Sequence, residues 1–295
     1  MHADEVATDA VLMRRLLAAQ CPQWADLPIA AVASAGTDNA LYRLGDDMVV
    51  RLPRIGWAVG QAEKEWRWLP ILAPRLPLAV PLPLALGEPA EGYPWPWTIC
   101  RWLAGENATA DRIADPRWAA LDLARFIAAL QQIDATDGPP PGAHNSHRGE
   151  RLANRDAATR RAITQVRDEF SADDMTAIWD AAIAAPAWGR PPVWIHGDLQ
   201  AGNLLATAGR LSAVIDWGCL GVGDPACDVM AAWLWLDAET RPVFRAALGV
   251  DDVTWTRARG WALTFGLIAL PYYRDTNPTL AAIAWRAIHE ALGTG

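Results

Sequence analysis

Val193-Trp-Ile-His-Gly-Asp-Leu-Gln-Ala-Gly-Asn-Leu-Leu205, followed by Ala213-Val-Ile-Asp-Trp-Gly218, is the stretch from which both fold and chemistry can be read. Asp198, Asn203 and Asp216 each stand beside a short apolar run: Val193 to Ile195, Leu204 to Leu205, and Val214 to Ile215. Such runs read as strands ending in exposed turns, and turns of this kind place side chains in a cleft. A carboxylate, an amide oxygen five residues on and a second carboxylate after a hairpin-length gap form an oxygen-rich set suited to a hard cation such as Mg²⁺. Magnesium usually bridges to substrate phosphates. One carboxylate is then left to accept a proton from an attacking hydroxyl while the other two groups hold the metal.

His196-Gly-Asp198 with Asn203, and then Ile215-Asp216-Trp-Gly218, resemble the signature of the aminoglycoside phosphotransferase family, small-molecule kinases that share the protein-kinase fold. Protein kinases carry His-Arg-Asp and a lysine two positions after the aspartate; here Gln200 stands there, which points to the small-molecule branch. The resemblance spans almost the whole chain. It implies an α+β, bilobal fold, with a small antiparallel-sheet lobe over residues 1–103 that binds nucleotide and a larger, mainly helical lobe over 104–295 for catalysis and substrate. It also implies Asp198 as catalytic base, Asn203 and Asp216 as magnesium ligands, ATP or GTP as co-substrate, and a hydroxyl of an aminoglycoside-type antibiotic as acceptor. A kinase of another hydroxylated molecule, such as a macrolide, choline, homoserine or a sugar, is the alternative. A catalytically silent nucleotide-binding module is a third, suggested by two departures from the family pattern.

The first departure is in the strand Met48-Val-Val-Arg51, where relatives place a lysine that grips the phosphates. Arg51 takes that position, paired with Glu65 on the helix expected over Gln61 to Leu69. Lys64, the only lysine of the chain, lies on that helix, and without a preceding glycine it cannot belong to a Walker A loop. The second departure is the turn Ala35-Gly-Thr-Asp-Asn39, where backbone N–H groups around Thr37 would cover the phosphates without a G-x-G-x-x-G pattern. By position, Trp95 to Leu103 is a strand running into the hinge, where the backbone of Arg101, Trp102 and Leu103 would bind a purine edge. By resemblance His196 and Asp228 are structural supports, the latter reaching back to the backbone near His196.

Composition narrows the partners. Residues 1–103 carry nine Lys+Arg against eleven Asp+Glu, so −6 of the formal −8 falls on residues 104–295. That surface repels nucleic acid and attracts a cationic small molecule, for which Glu150, Asp156, Asp237, Glu239 and Asp275 are the candidate ligands. The N-terminus has no basic segment leading into an apolar core, and the longest apolar stretch, Trp261 to Leu270, is too short to span a bilayer; a cytoplasmic location and no membrane partner are expected. Cys21, Cys100, Cys219 and Cys227 form no C-x-x-C pair and read as free thiols, and His144 with His147 could supply half of a metal site.

Elsewhere the sequence punctuates itself. Helices are expected over residues 9–20, with Leu12, Leu16 and Leu17 on one face, and over 116–133, with Trp118 to Leu130 giving an apolar face. Others are expected over 151–169, 172–185, 241–248, 253–270 and 278–292, and one starting within Gly221 to Asp228 with Asp224 as N-cap. The proline-spaced run Leu76 to Leu84 should cross the back of the small lobe in extended form.

Overall fold

The computed structural model describes residues 5–33, 36 and 38–293. Helix α1 (Ala10–Gln20) starts at Asp9, whose side chain accepts the Leu12 N–H at 2.7 Å, and buries Leu12, Met13, Leu16 and Leu17. β1 (Ile29–Ala31), β2 (Asn39–Leu44) and β3 (Met48–Pro53) form an antiparallel meander in which Leu41 lies opposite Arg51. After α2 (Gln61–Leu72), β4 (Pro83–Gly87) and β5 (Trp97–Arg101) complete a five-stranded sheet in the order β1-β2-β3-β5-β4. Pro83 is tolerated because β4 is the edge strand.

The remainder is mainly helical. Its elements are β6 (Glu106–Asn107), α3 (Pro116–Gln131), α4 (Asp156–Val166), α5 (Ala172–Ala184), β7 (Val193–Ile195), β8 (Leu204–Thr207), β9 (Arg210–Val214) and β10 (Gly221–Gly223). Then follow α6 (Ala226–Val229), α7 (Ala231–Leu234), α8 (Arg241–Leu248), α9 (Asp252–Tyr273) and α10 (Pro278–Leu292). β6, β8 and β9 make one small sheet, and β7 pairs with β10 in another. This is the α+β plan expected from the sequence: an antiparallel sheet followed by a helical region.

Two hydrophobic clusters hold the molecule together. One lies within residues 12–99, between α1 and the five-stranded sheet; the other gathers α3, α9, α10 and the strands β7 to β9. Trp68, Leu69 and Leu72 of α2 join the second, so α2 is packed against the helical region although it lies between strands of the sheet in sequence. Trp68 meets Trp194 of β7 edge-on, with ring centroids 4.8 Å apart.

Several local expectations are corrected. The proline-spaced run is extended and joins both regions: Ala79 N–H donates to Ser212 O at 3.0 Å and Val214 N–H to Ala79 O at 2.9 Å, while Leu82 O accepts the Arg101 N–H at 2.9 Å and Pro83 and Leu84 enter β4. α2 and α9 both run past an internal proline, Pro70 and Pro271, and each helix ends two residues later. Trp118 stays 47% exposed, under the guanidinium groups of Arg125 and Arg210, and is not part of the core face of α3. Residues 152–155 form a 3-10 turn, so α4 starts only at Asp156. Gly221 to Gly223 pair as a strand, with Asp224 accepting the Ala226 N–H at 3.0 Å at the head of a short helix. Among the described residues no helix is long and apolar enough to cross a membrane, and the four cysteines are free.

Candidate active site

The site begins where β7 stops. Gly197 has φ +83°, and a Cβ there would lie 2.8 Å from the Cys219 carbonyl oxygen, so the turn out of the strand requires glycine. Asp228, in α6 and wholly buried, accepts the N–H of His196 at 2.8 Å and of Gly197 at 2.7 Å. Those two bonds replace the ladder partners the chain gives up as it turns. Burial pushes the Asp228 carboxyl up to about 7 against these same donors.

His196 is also wholly buried, and burial draws its pKa down to about 4. Its neutral ring accepts the Asp198 N–H on Nδ1 at 3.2 Å and donates from Nε2 to the Ile215 carbonyl at 3.0 Å. One imidazole therefore ties the Asp198 turn to the residue before Asp216.

Asn203 makes the second tie. Its Nδ2 donates to the Asp198 backbone oxygen at 2.9 Å and to Oδ2 at 2.8 Å, while its own carbonyl accepts the Ile215 N–H at 2.9 Å. The β8–β9 register, Leu204 opposite Val214, makes this closure automatic: the residues just outside that pair are Asn203 and Ile215. Asp198 has its carboxyl pushed up to about 6 by burial, with Arg148 opposing and Asp216 reinforcing the shift.

Asp216 sits in the left-handed region at φ +60°, its side chain 47% exposed, with Oδ1 3.9 Å from Nη2 of Arg51. Arg51, on β3, hydrogen-bonds through Nη1 to Oε2 of Glu65 on α2, and both side chains are nearly inaccessible. Burial works against the charge on Arg51, but Glu65 and Asp216 more than offset it and its pKa is raised. The pairing expected between Arg51 and Glu65 is therefore present, and it reaches Asp216.

The sequence missed the neighbour of Glu65. Lys64 Nζ donates to the Gly218 carbonyl at 2.7 Å and the His144 carbonyl at 2.9 Å, and lies 3.2 Å from His144 Nδ1. With His144 Nε2 at 2.8 Å from the Pro140 carbonyl, Nε2 is the donor and Nδ1 accepts from the lysine. His144 is thus tied into a strut and is not half of a metal site; among the described residues no His, Cys, Asp and Glu cluster suits an ion. The available signal was that the sole lysine adjoins Glu65.

Other expected residues divide. The N–H groups of Arg101 and Trp102 already donate to Leu82 O at 2.9 Å and Asp47 O at 2.8 Å, so of the three only the Leu103 amide is without a partner among the described residues. Arg43 covers the Trp102 ring at 4.2 Å. Thr37 lies outside the described residues.

Of the five candidate acids, three have hydrogen-bond partners within the chain. Glu150 bonds Asn154 at 3.1 Å and Arg155 at 3.4 Å. Asp156 holds Arg160 at 2.8 Å and accepts from Trp179 Nε1 at 2.7 Å, between α4 and α5. Asp237 caps Thr240, with N–H at 2.8 Å and Oγ1 at 2.6 Å; Glu239 lies exposed in the same turn, and Asp275 is exposed between α9 and α10.

Residues 30–261 match the model of the phosphotransferase enzyme family. The chain belongs to that family. It is therefore a phosphotransferase, and the solved structures similar to it agree on the fold. The GDP complex of aminoglycoside 2'-phosphotransferase-IIIa is 19% identical, with 97% of this chain and 99% of that one covered and a TM-score of 0.74. Macrolide 2'-phosphotransferase MphH from Brachybacterium faecium is 26% identical over 96% and 98%, with a TM-score of 0.62. Macrolide 2'-phosphotransferase type I is 22% identical over 95% and 97%, with a TM-score of 0.63. No curated protein matches the sequence.

Proposed function

We propose that this phosphotransferase moves the γ-phosphoryl group of a nucleoside triphosphate to a hydroxyl of a small molecule, with residues 1–103 holding the nucleotide and 104–295 the acceptor. The observation that carries this is the closure of Asp198, Asn203 and Ile215-Asp216 through Asn203, facing the Arg51–Glu65 pair. Asp198 orients the acceptor hydroxyl and takes its proton; a carboxyl near 6 is ionised at neutral pH yet basic enough for that task. Arg51 steadies the phosphates and Glu65 fixes its fork. The Leu103 amide offers a donor to the base, and the backbone near Thr37 covers the phosphates.

The donor set fits magnesium. With Nδ2 of Asn203 committed to Asp198, Oδ1 is left without a hydrogen bond among the described residues, and the Asp216 carboxylate is half exposed. Asn203 and Asp216 would hold the ion, which when bound offsets phosphate charge. ATP and GTP are both candidates, since similar structures were captured with GDP, ADP and ATP.

The acceptor is a hydroxylated small molecule. The expected aminoglycoside draws support from the similar aminoglycoside enzymes, and a macrolide from the 26% identical MphH. An assay of nucleoside diphosphate release against kanamycin, a macrolide, choline, homoserine and simple sugars tests the proposal. Nucleotide binding with no acceptor-stimulated release by any hydroxylated compound would leave only the silent-module alternative.

A further inference from the structure

The turn that receives Lys64 through His144 also presents an arginine to the Asp198 turn. Asn145, 1% exposed, clamps both ends of it: Oδ1 accepts the Gly142 N–H at 3.0 Å and Nδ2 donates to the Arg148 carbonyl at 3.2 Å. The Asn145 carbonyl accepts the Arg148 N–H at 3.0 Å in return. This clamp is seated on β10, where a Cβ at Gly221 would lie 2.5 Å from Asn145 Nδ2. One residue on, Gly149 has φ +81° and its carbonyl accepts the Asp224 N–H at 2.9 Å. The backbone of Arg148 is thus fixed on both sides.

Its side chain lies against the catalytic turn. A Cβ at Gly197 would stand 3.1 Å from Arg148 Cβ, so the space beside the middle of His196-Gly-Asp198 is occupied by this arginine. A His-Arg-Asp sequence carries its arginine at that middle position; here a cation reaches the same turn from another segment of chain. The guanidinium lies 5.2 Å over the Phe265 ring of α9, with Nε and Nη1 buried and unbonded, so ring packing and charge set its place.

The groups around it are the carboxylates of Asp198 and Asp228, the thiols of Cys219 and Cys227, and Arg155, which Glu150 holds at 3.4 Å. Burial disfavours charge on both Asp198 and Asp228, and the charge of Asp198 further disfavours that of Asp228. Arg148 favours the charged form of both, while Asp216 and Asp38 add to the repulsion at Asp198. Carboxylates crowded out of water move apart or lose their charge unless a cation stands among them.

We propose that Arg148 is a positioning residue for phosphoryl transfer: mounted on the 142–149 turn and packed on Gly197, it supplies the positive charge that holds the Asp198 carboxylate in place beside Asp228 and Asp216. This rests on the phosphotransfer reading, in which Asp198 receives the acceptor proton. Arg148 acts through Asp198 and touches no substrate.

The first arm of the test needs no turnover. The Tm gain from Asp198→Asn at pH 8 is measured in the wild type, in Arg148→Met, whose side chain keeps an apolar stem on Phe265, and in Arg148→Gln and Arg148→Lys. The gain should be larger in the methionine and glutamine backgrounds, where the carboxylate has lost its cation, and close to the wild-type gain in Arg148→Lys. Arg167→Gln, which removes an exposed arginine, should leave the gain unchanged. An equal gain in every background would overturn the pairing.

The second arm follows nucleoside diphosphate release from magnesium-ATP with kanamycin, with erythromycin and with water alone as acceptor. Arg148→Met should lower kcat about tenfold or more with the KM for ATP within about twofold, and Arg148→Lys should recover part of the loss. An unchanged kcat, an equal loss in both variants, or a loss carried by KM would overturn the positioning role. A wild type that binds no magnesium-ATP would instead sink the phosphotransfer reading, and the Tm comparison would still decide whether Arg148 serves Asp198.

Discussion

Lys64 on α2 donates to the carbonyl of Gly218, two residues beyond Asp216, at 2.7 Å. That bond crosses from the helix carrying Glu65 to the turn carrying the proposed metal ligand, while the other donors of the same ammonium hold the 143–145 turn through His144. The position of Arg51 relative to Asp216 is therefore fixed from both sides: directly at 3.9 Å, and through Glu65, α2 and Lys64.

Replacing Lys64 should loosen that frame without removing a group that touches substrate. Lys64→Met should lower kcat/KM for the nucleotide by about tenfold or more, the worth of one or two charge-assisted hydrogen bonds, with partial rescue in Lys64→Arg. Burial draws Lys64 down from 10.5 to about 8, so between those values the unfolded chain binds more protons than the folded one. Its contribution to stability should rise with pH across that window, and denaturation curves of Lys64→Met should lack that component.

Asp198 should govern the acid limb of the rate profile. Because burial raises its pKa from 3.8 to about 6, kcat/KM should fall about tenfold per pH unit below about 6. Asp198→Asn should reduce kcat by roughly 10² to 10⁴ with nucleotide affinity kept. The same raised pKa means that the folded state binds the proton more tightly than the unfolded chain, so this carboxyl weakens stability as pH rises from 3.8 through 6. Asp198→Asn should accordingly raise Tm at pH 8 more than at pH 5; an equal Tm change at both values would contradict the burial of this charge.

Asp216→Ala should abolish the magnesium dependence of nucleotide binding. Calorimetric titration with and without the metal should give the same weak affinity in the variant, whereas an unchanged magnesium-dependent affinity would remove Asp216 from the ligand set.

Asp228 should act through stability. Asp228→Ala strands the N–H groups of His196 and Gly197 in a buried turn, at about 1–3 kcal/mol for each unsatisfied donor. The unfolding free energy from urea titration should drop accordingly, and turnover per folded molecule should fall as the Asp198 turn loses its anchor.

The helices and the hairpin were legible because their signals are local. Asp9 and Asn277 cap their helices by bonds to residues three positions on, and the β8–β9 pairing follows from two apolar runs a short turn apart. The Arg51–Glu65 pair was legible by resemblance, since neither residue on its own announces a partner 14 positions away. Pro70 and Pro271 misled because a proline signals loss of the bond to the carbonyl four residues before it, yet each helix continues for two more residues.

By itself the sequence determined most helices and the two turns bearing Asp198 and Asp216, because apolar period and turn chemistry are written along the chain, while the α+β plan and the reach of Asp228 back towards His196 came from the family resemblance. Only the tertiary structure decided that Lys64 struts Gly218 and that Arg148 and Arg155 lie over two rings of α9. Those pairings join residues from about 80 to 154 positions apart, or two side chains meeting through a third element. Contacts of that range are set by how helices pack, and packing depends on the shape of the whole core, which no local pattern encodes.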